Sequence, residues 1–121
     1  MSSNKTILLV DDDIDLMENT AYMIKSIGFN VITAENGVDA VEQFKEAKPD
    51  LVIMDIKMPK MDGYEAFFKI KQNDSEAKII LITAFAHDSK KHQKAESMNL
   101  LATLNKPYTF EQLEKIVKEH A

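Results

Sequence analysis

Four stretches of the chain set a polar group directly behind a run of apolar residues. Asp11-Asp12-Asp13 follows Ile7 to Val10, and Asp55 follows Leu51-Val52-Ile53-Met54. Thr83 follows Ile79 to Ile82, and Lys106 closes a weaker apolar stretch over residues 100–105. Taken singly, each has an ordinary explanation. A carboxylate behind a strand commonly accepts hydrogen bonds from a turn. Acids favour the positive end of a helix, a threonine ends many strands, and a lysine is usually a solvated charge. Brought together, they have a chemistry. Two or three carboxylates in one pocket repel one another, and a hard divalent cation relieves that repulsion. Mg2+ suits a site of few carboxylates, because it keeps several waters and accepts a phosphate oxygen. A carboxylate can itself attack phosphorus. The charge developing on the equatorial oxygens then needs partners, here the metal, the Lys106 ammonium and the Thr83 hydroxyl. The four positions together read as a phosphoryl-transfer site, with Asp13 set aside as a helix-start acid.

Such a site needs elements that deliver four distant residues to one place. Short apolar runs bounded by turn signals read as buried strands, which predicts strands over 5–10, 50–55 and around 79–83, with weaker ones at 30–34 and 100–105. Ile14, Met17, Ala21 and Ile24 recur at helical spacing, and Gly28 is a natural helix stop. Asn36-Gly37 starts a second helix with Val41, Phe44 and Ala47 on its apolar side, ended by Pro49. Tyr64, Phe67, Phe68 and Ile70 mark a third. Residues 88–98 read as a helix with a thin apolar side, Ala95 and Met98 against Lys90, Lys91, His92, Gln93 and Lys94. Thr109-Phe110-Glu111-Gln112 is a capping box, opening a helix whose buried side is Phe110, Leu113, Ile116 and Val117. Five strands alternating with five helices predict a three-layer α/β domain with a parallel sheet. Its three continuous apolar strands are those covered on both faces. All strand ends that carry the polar groups then lie on the carboxyl edge, where open α/β sheets place their ligand sites.

Length and composition narrow the choices. The 121 residues are expected to form one domain, without linker, repeat or room for a second. There is no cysteine, which excludes disulfides and thiolate metal sites and fits a reducing, cytoplasmic compartment. The four apolar residues after Thr6 are too few for a signal-peptide core or a membrane span. A net charge of −5 argues against direct binding to nucleic acid. All fifteen basic positions are lysine, so no bidentate arginine clamp exists. His87, His92 and His120 have no ligand spacing and read as exposed. Most methionines read as packing residues.

Val10-Asp11-Asp12, the segment Asp55-x-x-Met58-Pro59-x-x-Asp62-Gly63, Thr83-Ala84 and Lys106-Pro107 resemble the receiver domains of two-component response regulators, of the chemotaxis-regulator type. The resemblance covers nearly the whole chain, with the motifs in order at strand ends. It implies the flavodoxin-like doubly wound (βα)5 fold with strand order 2-1-3-4-5. It further implies that Asp55 is the phosphoacceptor, taking a phosphoryl group from a histidine kinase or histidine phosphotransfer protein. Asp12 and Asp55 would ligate Mg2+ (which Mn2+ could replace), with Asp11 acting largely through water and Lys57 giving its backbone carbonyl. Thr83 would be the switch hydroxyl, and Lys106 would hold a phosphoryl oxygen. The resemblance implies a signalling domain that promotes only its own phosphorylation and dephosphorylation. Phosphorylation would control binding to a downstream protein, in a monomer or weak dimer. The Met start and the lack of a C-terminal tail favour a stand-alone regulator. The resemblance also raises the expectation for a cis Lys106–Pro107 bond, ordinarily found in about one X-Pro bond in twenty.

The chain departs from the family pattern where an aromatic usually stands three residues before the lysine. That position is Thr103, and Asn99-Leu100 replace Gly-Ala. A small Thr103 cannot fill and vacate space as an aromatic does, so output is expected through the loop after Thr83 and the polar fourth helix. Phe85 and Lys57 occupy family positions that influence hydrolysis of the acyl phosphate, and a bulky Phe85 is expected to slow it. Leu16, Met17, Pro107 and Tyr108 are expected to rim the acidic edge, as the family's donor-docking surface does. Lys90, Lys91 and Lys94 form either a solvated face or a lure for an acidic partner. Two other functions compete. A phosphatase with an aspartyl nucleophile would need a further acid–base residue, which Lys57 does not supply. A flavodoxin-like cofactor binder would need a Ser, Thr and Gly-rich first loop to cradle phosphate, where this chain has three acids.

Overall fold

The computed structural model describes residues 5–84 and 89–121. Its elements alternate strictly: β1 (Thr6–Val10), α1 (Ile14–Ser26), β2 (Asn30–Ala34), α2 (Gly37–Ala47), β3 (Leu51–Asp55), α3 (Gly63–Asn73), β4 (Ile79–Thr83), α4 (Ser89–Ser97), β5 (Ala102–Asn105) and α5 (Phe110–His120). All four pairings are parallel, and the strand order is β2-β1-β3-β4-β5. This is the flavodoxin-like three-layer arrangement expected from the sequence.

The uninterrupted apolar strands are explained by two cores, one on each sheet face. Alternate strand residues point to opposite faces. Leu8, Val10, Val52, Met54, Ile79 and Leu81 join α2, α3 and Ala95 of α4 on one side. Ile7, Leu9, Leu51, Ile53, Ile80 and Ile82 join α1 and α5 on the other. Every one of these strand residues is buried, and burying each such aliphatic side chain contributes roughly 1.5–3 kcal/mol before entropy is counted. Between Ile7 and Val10, Leu51 and Met54, and Ile79 and Ile82, a polar residue would face a core.

Helix starts are chemically marked. Asp13, Asn36, Asp62 and Thr109 are N-caps, each accepting a hydrogen bond from a backbone N–H in the first turn. The capping box at Thr109 and Gln112 forms as expected, with Thr109 N donating to Gln112 Oε1 at 2.9 Å and Gln112 N to Thr109 Oγ1 at 3.1 Å. Gly28, with φ of 103°, stands one residue beyond the α1 cap Ile27. The Lys106–Pro107 peptide is cis.

Several expectations are corrected. Phe110 is 40% exposed; it is the first residue of α5, and the buried seam runs through Leu113 and Val117 one and two turns on. Ala47 is exposed at the last turn of α2. β5 begins at Ala102 rather than residue 100. His92 is half-buried, its Nδ1 2.9 Å from the Tyr64 hydroxyl with the rings edge to face. His120 is also half-buried. The thin apolar side of α4 is as expected, Ala95 being fully buried, but polar contacts supplement it. Lys91 Nζ lies 3.3 Å from Asp62 Oδ2, and Lys94 Nζ sits 4.5 Å from the Phe68 ring centroid. Those ties favour the solvated-face reading for Lys94 and Lys91 over an open basic lure. Phe85 and His87 lie outside the described residues. Among the described residues, no helix is long and apolar enough to cross a membrane.

Candidate functional site: an acidic pocket at the carboxyl edge of the sheet

Strand register builds the pocket. Val10 pairs with Met54, so the next residues, Asp11 and Asp55, leave neighbouring strands side by side. Asp55 in turn pairs with Ile82, one residue before Thr83, and Thr83 pairs with Asn105, one residue before Lys106. Lys106 N donates to the Thr83 carbonyl at 2.8 Å, which ties the last two strand ends together.

The side chains converge as the register requires. Asp11 and Asp55 are buried and Asp12 is exposed. One carboxylate oxygen from each of the three lies within 4.8 Å of the others. Lys106 Nζ sits between the two buried acids, 2.9 Å from Asp55 Oδ2 and 3.1 Å from Asp11 Oδ2. The other Asp11 oxygen accepts from Asp13 N at 3.0 Å. Asp13 itself caps α1 through Leu16 N at 3.2 Å, the helix-start role expected of it. Thr83 is half-buried at the end of β4, and Lys57 is exposed in the loop that follows Asp55.

The electrostatics follow from that crowding. Burial pushes the Asp55 carboxyl up to about 6 from 3.8; its bond to Lys106 opposes this, and the Asp11 charge adds to it. Burial works against the Lys106 ammonium, but its hydrogen bonds and charge interactions with Asp55 and Asp11 outweigh burial and hold its pKa above the ordinary value. One ammonium thus serves two buried carboxylates, with a third acid alongside. This all-oxygen, acid-rich donor set fits a hard divalent cation, with Asp11, Asp12 and Asp55 as the groups able to hold it.

Glycine shapes the loop behind Asp55. Gly63 N donates to the Ile56 carbonyl at 2.7 Å. A Cβ at Gly63 would collide with the Asp55 carbonyl oxygen and lie 2.7 Å from Ile56 Cα. No larger residue can stand there while α3 begins this close to the end of β3. The Asp62-Gly63 pair reads in sequence as turn chemistry alone; the missing signal was that a glycine directly after a helix cap is buried.

Beside the pocket runs a cleft of about 310 Å³ lined by Leu16, Thr20, Met23, Ala84, Lys106, Pro107 and Tyr108. Three of the four expected rim residues are there. Met17 is not, since it is buried in the core on the α1 and α5 side of the sheet. Thr20 and Tyr108, not singled out by the sequence, share a hydrogen bond of 2.7 Å across the cleft. Burial raises the Tyr108 pKa, while that bond pulls it the other way. Thr103 stands half-buried on β5, paired with Leu81.

Residues 7–118 match the response regulator receiver domain family. The chain is similar to the chemotaxis protein CheY of Bacillus subtilis (strain 168), with 46% identity over 84 residues, 69% of this chain and 70% of that protein. It is 43% identical over 105 residues to the chemotaxis protein CheY of Halobacterium salinarum, covering 86% of each. Among solved structures, the CheX–CheY–BeF3–Mg2+ complex from Borrelia burgdorferi superposes with a TM-score of 0.87 at 29% identity, over 95% of this chain and 87% of that one.

Proposed function

Because the chain belongs to the response regulator receiver family, and so is a CheY-like receiver domain of two-component signalling, we propose that Asp55 is its phosphoacceptor in a Mg2+-dependent transfer from a phosphohistidine. The carrying observation is the buried Asp55 carboxylate, 2.9 Å from an ammonium it shares with Asp11 and clustered with Asp12. An Asp55 oxygen attacks phosphorus and forms the acyl phosphate. The phosphorus–nitrogen bond of the donor breaks, and its electron pair returns to the donor imidazole. Lys106 already lies where the reacting oxygen is held, so it can follow the negative charge from carboxylate to phosphoryl oxygen without reorganisation. Thr83, at the neighbouring strand end, offers a hydroxyl donor. Asp11, Asp12, Asp55 and the Lys57 carbonyl would hold Mg2+, which supplies charge neutralisation for the transferring phosphoryl group. Mn2+ would bind the same oxygens.

A histidine kinase or histidine phosphotransfer protein is the donor, docking over the cleft between α1 and the β5–α5 loop. The Borrelia relative, solved with CheX, BeF3 and Mg2+, supports partner binding and Mg2+ use by receivers of this type. The domain would act in the cytoplasm, as a single receiver unit, a monomer or weak dimer. Its phosphorylation state would set affinity for a downstream protein. Incubation with acetyl phosphate and Mg2+, followed by intact-mass measurement, tests the assignment. One phosphoryl adduct is expected in wild type, none in Asp55→Asn and none with excess EDTA. An adduct that survives Asp55→Asn would overturn it.

A further inference from the structure

The turn between β2 and α2 supplies none of the three clustered carboxylates, yet its backbone touches both the Asp11 end of β1 and the loop after Asp55. Ala34, the last residue of β2, accepts a hydrogen bond from Asp11 N at 3.2 Å. Three residues on, Gly37 is buried against the loop that follows Asp55. A Cβ at Gly37 would collide with the Met61 carbonyl oxygen and lie 2.8 Å from Met61 Cβ and 3.0 Å from Met61 C. These are backbone atoms and a Cβ, not the far end of a flexible side chain, so the loop itself would have to move.

That loop is tied to the sheet at its start, where Ile56 N donates to the Ile82 carbonyl at 2.9 Å, and Ile56, Met58 and Met61 pack against the core. It is pinned at Ile56 by Gly63 N, and it folds back on itself where Met61 N donates to the Pro59 carbonyl at 2.7 Å. Lys60, between them, has a φ of 68°. Lys57 lies between the pin at Ile56 and the contact at Met61. On the other side, the turn cannot yield easily. Asn36 Oδ1 caps α2 through Asp39 N at 2.8 Å, and Ala40, Val41 and Phe44 root that helix in the core. The four residues Ala34 to Gly37 therefore form a short bracket between the backbone of Asp11 and the backbone of the Asp55 loop.

We infer that Gly37 is a positioning residue, which through Met61 sets the distance between the Asp11–Asp12 acids and the loop carrying Lys57, and so sets divalent-cation affinity. The inference rests on Asp11, Asp12, Asp55 and the Lys57 carbonyl being the cation ligands proposed above. The missing Cβ is what lets α2 start in contact with the loop. Adding one methyl group moves the loop and spoils the spacing of the oxygen ligands. Mg2+ is sensitive to this because it demands near-ideal octahedral geometry.

Calorimetric titration of the purified chain with Mg2+ is the test. Gly37→Ala is expected to weaken Mg2+ binding at least fivefold. Met61→Gly, which loosens the same loop from its other side without a collision, should also weaken it. Gly28→Ala is the control. Its φ of 103° makes any side chain strained, but nothing lies within 4 Å of a Cβ there. It should lower stability and leave Mg2+ affinity within twofold of wild type. Wild-type affinity retained by Gly37→Ala, or by Met61→Gly should Gly37→Ala not fold, would overturn the inference. So would an equal loss of affinity in Gly28→Ala, which would make the effect one of stability alone. Failure of the underlying assignment looks different: Mg2+ would bind wild type and Asp12→Ala alike.

Discussion

At the scale of single residues, the protein carries a built-in conflict at Asp55. Burial and the neighbouring Asp11 charge push its pKa from 3.8 to about 6. A carboxyl whose folded pKa is raised binds more protons in the folded state than in the unfolded state between those values. Stability therefore falls as pH rises from about 4 to about 6, and the deficit persists above. At about 1.4 kcal/mol per unit, the shift corresponds to a cost of up to about 3 kcal/mol at neutral pH. Asp55→Asn is expected to be more stable than wild type by about 1–3 kcal/mol at pH 7 in EDTA. That gap should close toward pH 4, as read by urea unfolding at each pH. A wild type as stable as the variant at pH 7 would contradict the cost. Lys48 is a second, independent case. It caps α2 with φ of 47°, in the left-handed region where side chains are strained. Lys48→Gly should stabilise the fold by roughly 0.5–1 kcal/mol, measured the same way, and leave the pocket untouched.

At the scale of elements, α4 is the outlier. Among the described residues of α4, Ala95 alone is fully buried in the core, and three side-chain contacts tie the helix laterally to α3 and its cap. The Tyr64 hydroxyl meets His92, Lys91 meets Asp62, and Lys94 lies over Phe68. Asp62 is also the cap of α3, through Glu65 N at 2.9 Å, and so stands in the loop that leads from Asp55. Tyr64→Phe keeps the ring and removes the hydroxyl from His92. It should cost about 1 kcal/mol and speed amide exchange in Ser89–Ser97 more than in α1 or α5. Exchange rising equally in all helices would show that the bond does not serve α4 in particular. Residues 88–98 read in sequence as thinly amphipathic, and that much was legible. The ties to α3 were not, because Tyr64 and His92 are 28 residues apart and neither has a motif around it.

At the scale of the whole molecule, metal binding and folding should be linked. The proposed cation site draws on the end of β1 and the end of β3, which meet only in the folded sheet. Mg2+ bound there would stabilise the native state by mass action, about 2.7 kcal/mol at one hundred times its dissociation constant. Melting in 10 mM Mg2+ should occur several degrees higher than in EDTA, and Asp12→Ala should abolish the difference. A melting temperature indifferent to Mg2+ in wild type would remove the metal from the site. The sequence by itself determined the element order, the parallel sheet and the identity of the polar strand ends. Buried strands must be apolar throughout, and the first polar residue after each marks where backbone leaves the core. The resemblance then supplied the strand order, which propensity and pattern leave open. Only the tertiary structure decided the rest, because it depends on contacts between residues distant in sequence. These include Lys106 shared between Asp55 and Asp11, Met17 turned into the core rather than toward the cleft, and the exposure of Phe110. They also include the backbone contacts of Gly37 and Gly63, where the absence of a side chain is the functional feature. An absence leaves no periodicity to read; it becomes visible only when the neighbouring backbone is in place.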